Sequence, residues 1–192
     1  MTAAPAHQLV TLDAGELTAR LDEALQVYVA AMGYPQGVAR QRRALWLDHI
    51  RRPGWRAVGG IGPGGELLGV AYGYRGGPGQ WWFEEVRRGL VGTGGDLGWL
   101  ADYFELTELH VRPDTQGRGL GEALLRALLA RERRSTVLLS TPEYGARPPS
   151  RAWQLYRRVG FRDVLRNHRF TGDSRPFAVL GRALPMTPPL AR

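Results

Sequence analysis

A strand, a glycine-rich turn and a helix follow one another between Asp102 and Arg134, and another strand comes directly after them. Asp102 to Val111 has the pattern of a strand, and residues 120–134 place apolar side chains on one helical face. Residues 136–140 form a short apolar run that is typical of a buried strand. Because such a crossover within one sheet joins parallel strands, the segment predicts two neighbouring parallel strands with a helix packed on them.

The flanking segments predict antiparallel pairs. Residues 55–61 and 67–74 read as two strands around Gly62-Pro-Gly-Gly65, which is a hairpin signal. Asp13 and Glu16 resemble a capping box at the start of a helix that runs to Met32. The remaining predicted elements are a strand at 7–12, helices at 37–52 and 150–159, and strands at 161–170 and 176–184. The predicted fold is α/β, with a single mixed, mostly antiparallel sheet flanked by helices in the order β-α-α-β-β-β-α-β-α-β-β.

The chain has 192 residues, which is enough to bury a hydrophobic core without disulfides or metals. We predict one domain over residues 1–185 and a C-terminal tail over 186–192. The segment 76–100 breaks the pattern because it is rich in Gly and Trp, and we expect an inserted loop with one short helix near 80–90. A loop of this length in a compact domain is usually functional or partly disordered.

Several classes of protein are excluded or disfavoured by composition. The chain has no Cys, which excludes a disulfide framework, a thiolate metal site and a cysteine nucleophile. Its four His are scattered and give no metal-binding pair, so no metal is expected. No apolar run reaches the roughly 18 residues of a membrane span, and residues 1–5 lack the features of a signal peptide. We therefore expect a cytoplasmic protein with no membrane partner.

The formal net charge is +8, and all 26 basic residues are Arg. A basic chain can attract nucleic acid, a membrane surface or a phosphorylated small molecule. The Arg pairs are spread along the chain and form no block or tail, which favours a solvated surface. No nucleic-acid partner is expected.

The turn Val111-Arg-Pro-Asp-Thr-Gln-Gly-Arg-Gly-Leu-Gly121 carries the clearest chemical signal. Its glycines allow a ligand to approach main-chain N–H groups, and the helix that follows offers free N–H donors to a phosphate. A Walker A loop is excluded because the chain has no Lys, and the glycine spacing does not match a dinucleotide fingerprint. A plain glycine-rich turn remains an alternative.

The pattern Gln-x-x-Gly-x-Gly over 116–121, after a strand that ends in Leu109-His-Val-Arg-Pro113, resembles the acyl-CoA-binding motif of the GNAT superfamily of N-acetyltransferases. The order of elements is similar to that family's fold, and residues 152–161 are similar to its AxxLYxxxGF segment. The resemblance is strong over about 55–184 and weaker over the first two helices. One departure is Pro149, where the family often has Asn, although Ser150 can cap the helix instead.

The resemblance implies a cosubstrate, acetyl-CoA, and a set of residues that hold it. Pantetheine would pair with main-chain groups of Leu109, His110 and Val111, and the Val111 N–H would stabilise the oxyanion. Tyr156 matches the family's proton donor to the thiolate. The pyrophosphate would lie on the amides of Gln116, Gly117, Arg118, Gly119, Leu120 and Gly121.

The general base and the acceptor site remain open at this point. Glu105 lies six residues before Val111, which resembles the glutamate base of the histone-acetylating branch of the family, and Glu108 or a chain of waters are alternatives. Aromatic and acidic residues that suit a cationic amine, or that simply cover the core, are Tyr28, Tyr34, Trp46, Trp81, Trp82, Trp99, Glu84 and Glu85.

The resulting prediction is an N-acetyltransferase that moves an acetyl group from acetyl-CoA to a primary amine of a small molecule or peptide, by direct attack in a ternary complex. The alternative is a non-catalytic acyl-CoA-binding or regulatory module of the same fold. The acceptor, the length of the acyl chain and a homodimer are left open.

Overall fold

The computed structural model describes residues 7–143 and 150–186. No helix within these residues is both long enough and apolar enough to cross a bilayer. Two short 3-10 helices, Leu97–Leu100 and Pro113–Thr115, flank β4. The strands and α-helices of the described residues are β1 (Gln8–Leu12), α1 (Ala14–Ala19), α2 (Leu21–Met32), α3 (Gly37–Ile50), β2 (Arg56–Ile61), β3 (Leu67–Arg75), α4 (Trp81–Thr93), β4 (Tyr103–Val111), α5 (Leu120–Leu129), β5 (Thr136–Pro142), α6 (Arg151–Arg158), β6 (Arg162–His168) and β7 (Phe177–Ala183).

The strands form one sheet of seven in the order β1-β2-β3-β4-β5-β7-β6. Strands β4 and β5 run parallel, with Tyr103–Glu105 opposite Thr136–Leu138. Antiparallel pairing joins β1 to β2, β2 to β3, β5 to β7 and β6 to β7. The predicted single mixed, mostly antiparallel sheet flanked by helices is therefore confirmed.

The chain divides into two compact units. The first contains the described residues up to Tyr74 together with Leu106–Arg131. The second contains Arg75–Glu105 and the described residues from Glu132 onward. A single domain over 1–185 stays a prediction, and the expected tail lies almost wholly outside the described residues.

The first unit begins with the expected capping box. Asp13 Oδ1 accepts a hydrogen bond from the Glu16 N–H at 2.8 Å, and Glu16 Oε2 accepts one from the Asp13 N–H at 2.7 Å. The helix that we expected to run on to Met32 instead breaks at Arg20, whose φ and ψ are −100° and 11°. The Arg20 N–H donates to the carbonyls of both Glu16 and Thr18, which tightens the last turn of α1 before α2 begins.

Two strand glycines allow α5 to lie close to the sheet in the first unit. A Cβ added at Gly60 would lie 2.8 Å from Leu120 Cδ1, and one at Gly69 would lie 2.9 Å from Leu124 Cδ1. Separations this short do not occur between packed carbon atoms, so a side chain at either position would displace the leucine that packs there. Gly60 and Gly69 therefore make room for Leu120 and Leu124 of α5 against the sheet.

The second unit contains the whole of the segment 76–100, which folds mainly as α4. The expected helix near 80–90 is confirmed and extends to Thr93. Trp82 Nε1 donates to Ser140 Oγ at 3.1 Å, and the buried Glu85 accepts a hydrogen bond from the Thr171 N–H at 2.8 Å. These contacts, together with its buried residues, make α4 part of the core of this unit.

Helix α6 begins as the sequence predicts. Ser150 Oγ accepts a hydrogen bond from the Trp153 N–H at 3.2 Å and so caps the helix. Gly160, with a φ of 89°, follows the last turn. Pro149, the position where the chain departs from the family pattern, lies outside the described residues.

Candidate active site

The turn between β4 and α5 places two glycines in the left-handed region. The φ angles are 78° at Gly117 and 85° at Gly119. An L side chain in this region costs about 1–2 kcal/mol, which explains the choice of glycine. Outside the two neighbouring residues, no protein atom lies within 4 Å of the position that a Cβ on Gly119 would occupy, so the backbone at Gly119 is open to a ligand.

Helix α5 starts at this turn. Gly119 is its N-cap residue, and no side chain among the described residues caps it. The first N–H groups of a helix have no partner within the helix, and the helix dipole adds positive potential at this end. The turn therefore presents donors suited to a phosphate group.

Side chains within the turn fix its shape. Gln116 Nε2 donates to the Val111 carbonyl at 2.9 Å, and Thr115 Oγ1 donates to the Arg112 carbonyl at 3.0 Å. Arg112 and Asp114 form an ion pair at 3.1 Å. The side chain of Gln116 thus ties the turn to the end of β4, which leaves the main chain of the turn as the part available to a ligand.

The Val111 amide lies at the end of β4. The next amide, that of Arg112, donates to the Leu68 carbonyl at 2.8 Å. Because successive amides of a strand point to opposite edges, the Val111 N–H points away from β3. This is the orientation that an oxyanion donor, or a ligand added along that edge, requires.

The side chains of Glu108 and His110 lie on the same face of β4 and bond to each other. His110 Nε2 and Glu108 Oε2 are 2.5 Å apart, and the side chains are only 10% and 13% exposed. Residues two apart on a strand lie on one face, so this bond shows regular alternation from Glu108 to His110. The His110 ring packs edge-on against Tyr28 of α2, with ring centroids 4.9 Å apart.

Tyr28, which contacts His110, also packs against two other aromatic residues, Tyr34 from the loop after α2 and Trp46 from α3. The Tyr28 ring lies 5.7 Å from Tyr34 and 6.0 Å from Trp46, centroid to centroid. Burial raises the pKa of Tyr28 to about 12, against the opposing effect of the nearby Arg42 guanidinium. We call Tyr28, Tyr34, Trp46, Glu108 and His110 the Tyr28 cluster.

His49, which the sequence showed only as one of four scattered histidines, is buried next to the cluster. Its Nδ1 lies 3.0 Å from Tyr72 Oη. Burial lowers the pKa of His49 to about 4, and the charge of Arg52 acts in the same direction. The imidazole is therefore neutral at pH 7.

The aromatic and acidic residues expected around the acceptor fall into two groups. Tyr28, Tyr34 and Trp46 belong to the first unit, and the others belong to the second. In the second unit Trp99 packs on Gly181, Glu85 binds Thr171, and Glu84 forms an exposed pair with Arg87. Trp82, Trp99 and Glu85 therefore have packing roles there, in line with the alternative that these residues cover the core, whereas Trp81 is 55% exposed.

The two side chains expected to transfer protons lie in the second unit. Glu105 is 3% exposed and lies opposite Leu138 in the β4–β5 pair. Tyr156 is 7% exposed, and its ring lies 5.5 Å from that of Phe161. Their catalytic roles stay predictions.

Within residues 7–143 and 150–186, no group of three or more His, Asp or Glu is arranged to hold a metal ion.

Comparison with known proteins identifies the family. Residues 77–163 match the family model of the acetyltransferase (GNAT) domain. A GCN5-like protein acetyltransferase, Rv2170, of Mycobacterium tuberculosis (strain ATCC 25618 / H37Rv) is 46% identical over 203 residues, which cover 93% of this chain and 98% of that protein.

Solved structures share the fold at low sequence identity. A protein assigned to the GNAT family from Desulfovibrio desulfuricans has a TM-score of 0.65 at 16% identity, over 93% of this chain and 99% of that one. The ribosomal-protein-S18-alanine N-acetyltransferase from Escherichia coli has a TM-score of 0.62 at 17% identity, over 97% and 99%. The fold, the matched domain and the mycobacterial relative together show that this chain belongs to the GNAT family of acetyltransferases and is an acyltransferase enzyme.

Proposed function

We propose that this enzyme transfers the acetyl group of acetyl-CoA to a primary amine of a peptide or protein. The observation that supports acetyl-CoA as the acetyl donor is the turn 116–121, with its left-handed glycines, the open backbone at Gly119 and the uncapped start of α5. The choice of a peptide or protein amine as acceptor is supported by the mycobacterial relative, which is named a protein acetyltransferase. A small-molecule amine is the other acceptor that the sequence suggested.

The residues of the first unit would hold the donor. The amides of 116–121 fit a pyrophosphate because glycine leaves them open and the helix dipole favours negative charge. Arg118, which is exposed, adds a positive charge at the same turn. Main-chain groups of Leu109 and Val111, which strand alternation turns away from β3, would pair with pantetheine as an added strand does, with His110 between them. When bound, acetyl-CoA supplies an activated thioester.

Three groups would then carry the chemistry. The Val111 N–H donates to the oxygen of the acetyl group as negative charge develops there, an interaction typically worth on the order of 10²–10³ in rate. Glu105 accepts a proton from the amine, directly or through a water. The amine nitrogen bonds to the acetyl carbon, the carbon–sulfur bond breaks, and Tyr156 gives its phenolic proton to the departing thiolate.

The test is amine-dependent release of free thiol. The enzyme is incubated with acetyl-CoA and a panel of lysine peptides, peptides with free α-amines, and small amines, and the thiol is measured against time. We expect release that depends on the peptide amine and that Gly119→Val abolishes. Binding of acetyl-CoA without release for any amine would indicate the non-catalytic module instead.

The other features expected of this enzyme extend the proposal. A cytoplasmic location belongs to it, a homodimer is left open, and no nucleic-acid partner is proposed. The dispersed Arg pairs predict weak DNA binding, with a shallow dependence of affinity on salt.

A further inference from the structure

Helix α4 covers the face of the sheet on which Glu105 lies. The Trp82 ring of α4 packs against Tyr103, with ring centroids 5.8 Å apart, and Trp82 Nε1 donates to Ser140 Oγ at 3.1 Å. Tyr103 and Glu105 are two residues apart on β4 within its regularly paired stretch, so their side chains point to one face. Glu105 is therefore on the face that Trp82 covers, within the second unit.

Ser140 lies on the same face, further along β5. Leu138 is the register partner of Glu105, and residues in register on neighbouring strands share a face. Ser140 follows Leu138 by two residues and so shares that face as well. Neighbouring strands are about 4.8 Å apart and two residues of a strand add about 6.6 Å, so the Cα atoms of Glu105 and Ser140 are separated by roughly 8 Å. A glutamate side chain and one water together span that distance.

The position of Ser140 along the strand favours a functional role. The parallel pairing of β4 with β5 runs as far as Glu105 and Leu138, and both strands continue beyond this row. Ser140 therefore lies toward the carboxyl ends of the two strands, which is where open α/β sheets bind their ligands. Its side chain is partly exposed, so a water or a ligand can reach it.

The bond to Trp82 determines what the Ser140 hydroxyl can offer. An indole N–H can only donate, so Ser140 Oγ is the acceptor of this bond and retains its own hydrogen for another partner. No acceptor for that hydrogen is present among residues 7–143 and 150–186. The Ser140 hydroxyl is thus a hydrogen-bond donor whose oxygen is held in place from α4.

The support for Ser140 is itself buried. Trp82 is 7% exposed and belongs to the same core cluster as Tyr103 and Leu138. A buried N–H group needs an acceptor, so the indole is fixed by its packing and by the bond to Ser140 together. The Trp-rich segment 76–100 therefore fixes a polar group on the face that carries Glu105.

We propose that Ser140 is a positioning residue for proton transfer, because its hydroxyl donates a hydrogen bond to a water between Glu105 and the acceptor amine. The water accepts a hydrogen bond from the amine N–H and donates one to the Glu105 carboxylate. As the nitrogen bonds to the acetyl carbon, the amine proton passes to the water and a water proton passes to Glu105, which becomes neutral. This rests on the proposed function and adds to it Ser140 and a role for α4.

The first test compares Ser140→Ala with the wild type on the peptide amine of the panel that the wild type acetylates fastest. We measure kcat and KM at saturating acetyl-CoA from pH 6 to pH 9. One hydrogen bond corresponds to about 3- to 10-fold, so kcat should fall by that factor at low pH and by less at high pH, where solvent supplies neutral amine. KM and the Kd for coenzyme A should stay unchanged. A residue that only supports the fold would not give this dependence on pH.

The second test asks whether Ser140 acts through Glu105. In a Glu105→Gln background, Ser140→Ala should lower kcat little further, because both changes disable the same proton transfer. Trp82→Phe keeps the ring that packs on Tyr103 and removes only the N–H. It leaves the Ser140 hydroxyl in place, so kcat should fall with the same dependence on pH but by a smaller factor.

Thr141→Val is the matched control. Thr141 is the next residue of β5, so its side chain points to the opposite face, and it is 7% exposed. The substitution removes one hydroxyl and keeps the branched shape. We expect the wild-type kcat at every pH.

The outcomes distinguish this inference from the proposed function. A wild-type kcat in Ser140→Ala, a loss that is equal at every pH, or a full further loss in the Glu105→Gln background overturns the inference. Should Ser140→Ala not fold, a wild-type pH–rate profile in Trp82→Phe overturns it instead. In each of these cases the proposed function stands. A wild type that acetylates no amine in the panel overturns the proposed function itself.

Discussion

Replacing Gly119 by Ala should weaken binding of coenzyme A far more than it destabilises the protein. The φ of 85° at this N-cap position disfavours any L side chain, which corresponds to a loss of about 1–2 kcal/mol in the free energy of unfolding. No protein atom lies within 4 Å of the new methyl group, so no clash adds to that loss. For a chain of this length, each kcal/mol lowers Tm by roughly 2–4 °C.

The loss of ligand binding has a separate cause. The methyl group would stand in the open space in front of the turn, where the proposed pyrophosphate would bind. Removing one hydrogen bond to a charged group costs about 1.5–3 kcal/mol, which is roughly 10- to 150-fold in Kd. Calorimetric titration with coenzyme A measures the affinity, and thermal unfolding without ligand measures the stability.

Gly172→Ala is the matched control for backbone strain. Gly172 has a φ of 87° and also has nothing within 4 Å of an added Cβ, but it lies between β6 and β7. We expect a similar loss of Tm and an unchanged Kd for coenzyme A. A Gly119→Ala protein that binds coenzyme A as tightly as Gly172→Ala does would refute the assignment of the turn.

Three other substitutions test the remaining assignments. Tyr156→Phe, which keeps the ring packed against Phe161, should lower kcat by roughly 10²–10⁴ and leave the affinity for coenzyme A unchanged in a titration. Glu105→Gln should lower the rate most at low pH and less as the pH rises, because solvent then supplies more neutral amine; an unaltered pH–rate profile would assign the base to Glu108 or to water. His49→Gln should flatten the pH dependence of stability in urea unfolding at pH 7 and pH 5. The pKa of His49 is near 4 in the folded protein and 6.5 in the unfolded chain, so the unfolded state binds more protons below pH 6.5. The contribution of His49 to the free energy of unfolding is therefore full above pH 6.5 and falls by about 2 kcal/mol from pH 7 to pH 5. The wild type should show this fall, and His49→Gln should not.

Features set by neighbouring residues could be predicted from the sequence. The capping box at Asp13 and Glu16, the cap at Ser150 and the left-handed C-cap at Gly33 each depend on local hydrogen bonds or a single φ angle. The parallel pairing of β4 with β5 followed from the connection between them. Local rules did not predict the break at Arg20, because both helices continue the same apolar pattern.

Contacts between distant segments could not be read from the pattern. Strand alternation places Glu108 and His110 on one face, but nothing in the sequence brings Tyr28 against them. The pairing of His49 with Tyr72 joins a helix to a strand 23 residues away. Likewise, the aromatic residues of 76–100 were grouped with Tyr28 by type, whereas the structure shows Trp82 bonded to Ser140 in the second unit.

The central claim is that the acetyl group moves from acetyl-CoA to an amine. The most direct measurement is mass spectrometry of the peptide together with a thiol assay in the same reaction. We predict one acetylated amine for each free thiol, both lost in Gly119→Val. Free thiol without an acetylated amine, or acetyl-CoA that stabilises the protein and stays intact with every amine in the panel, would contradict the account.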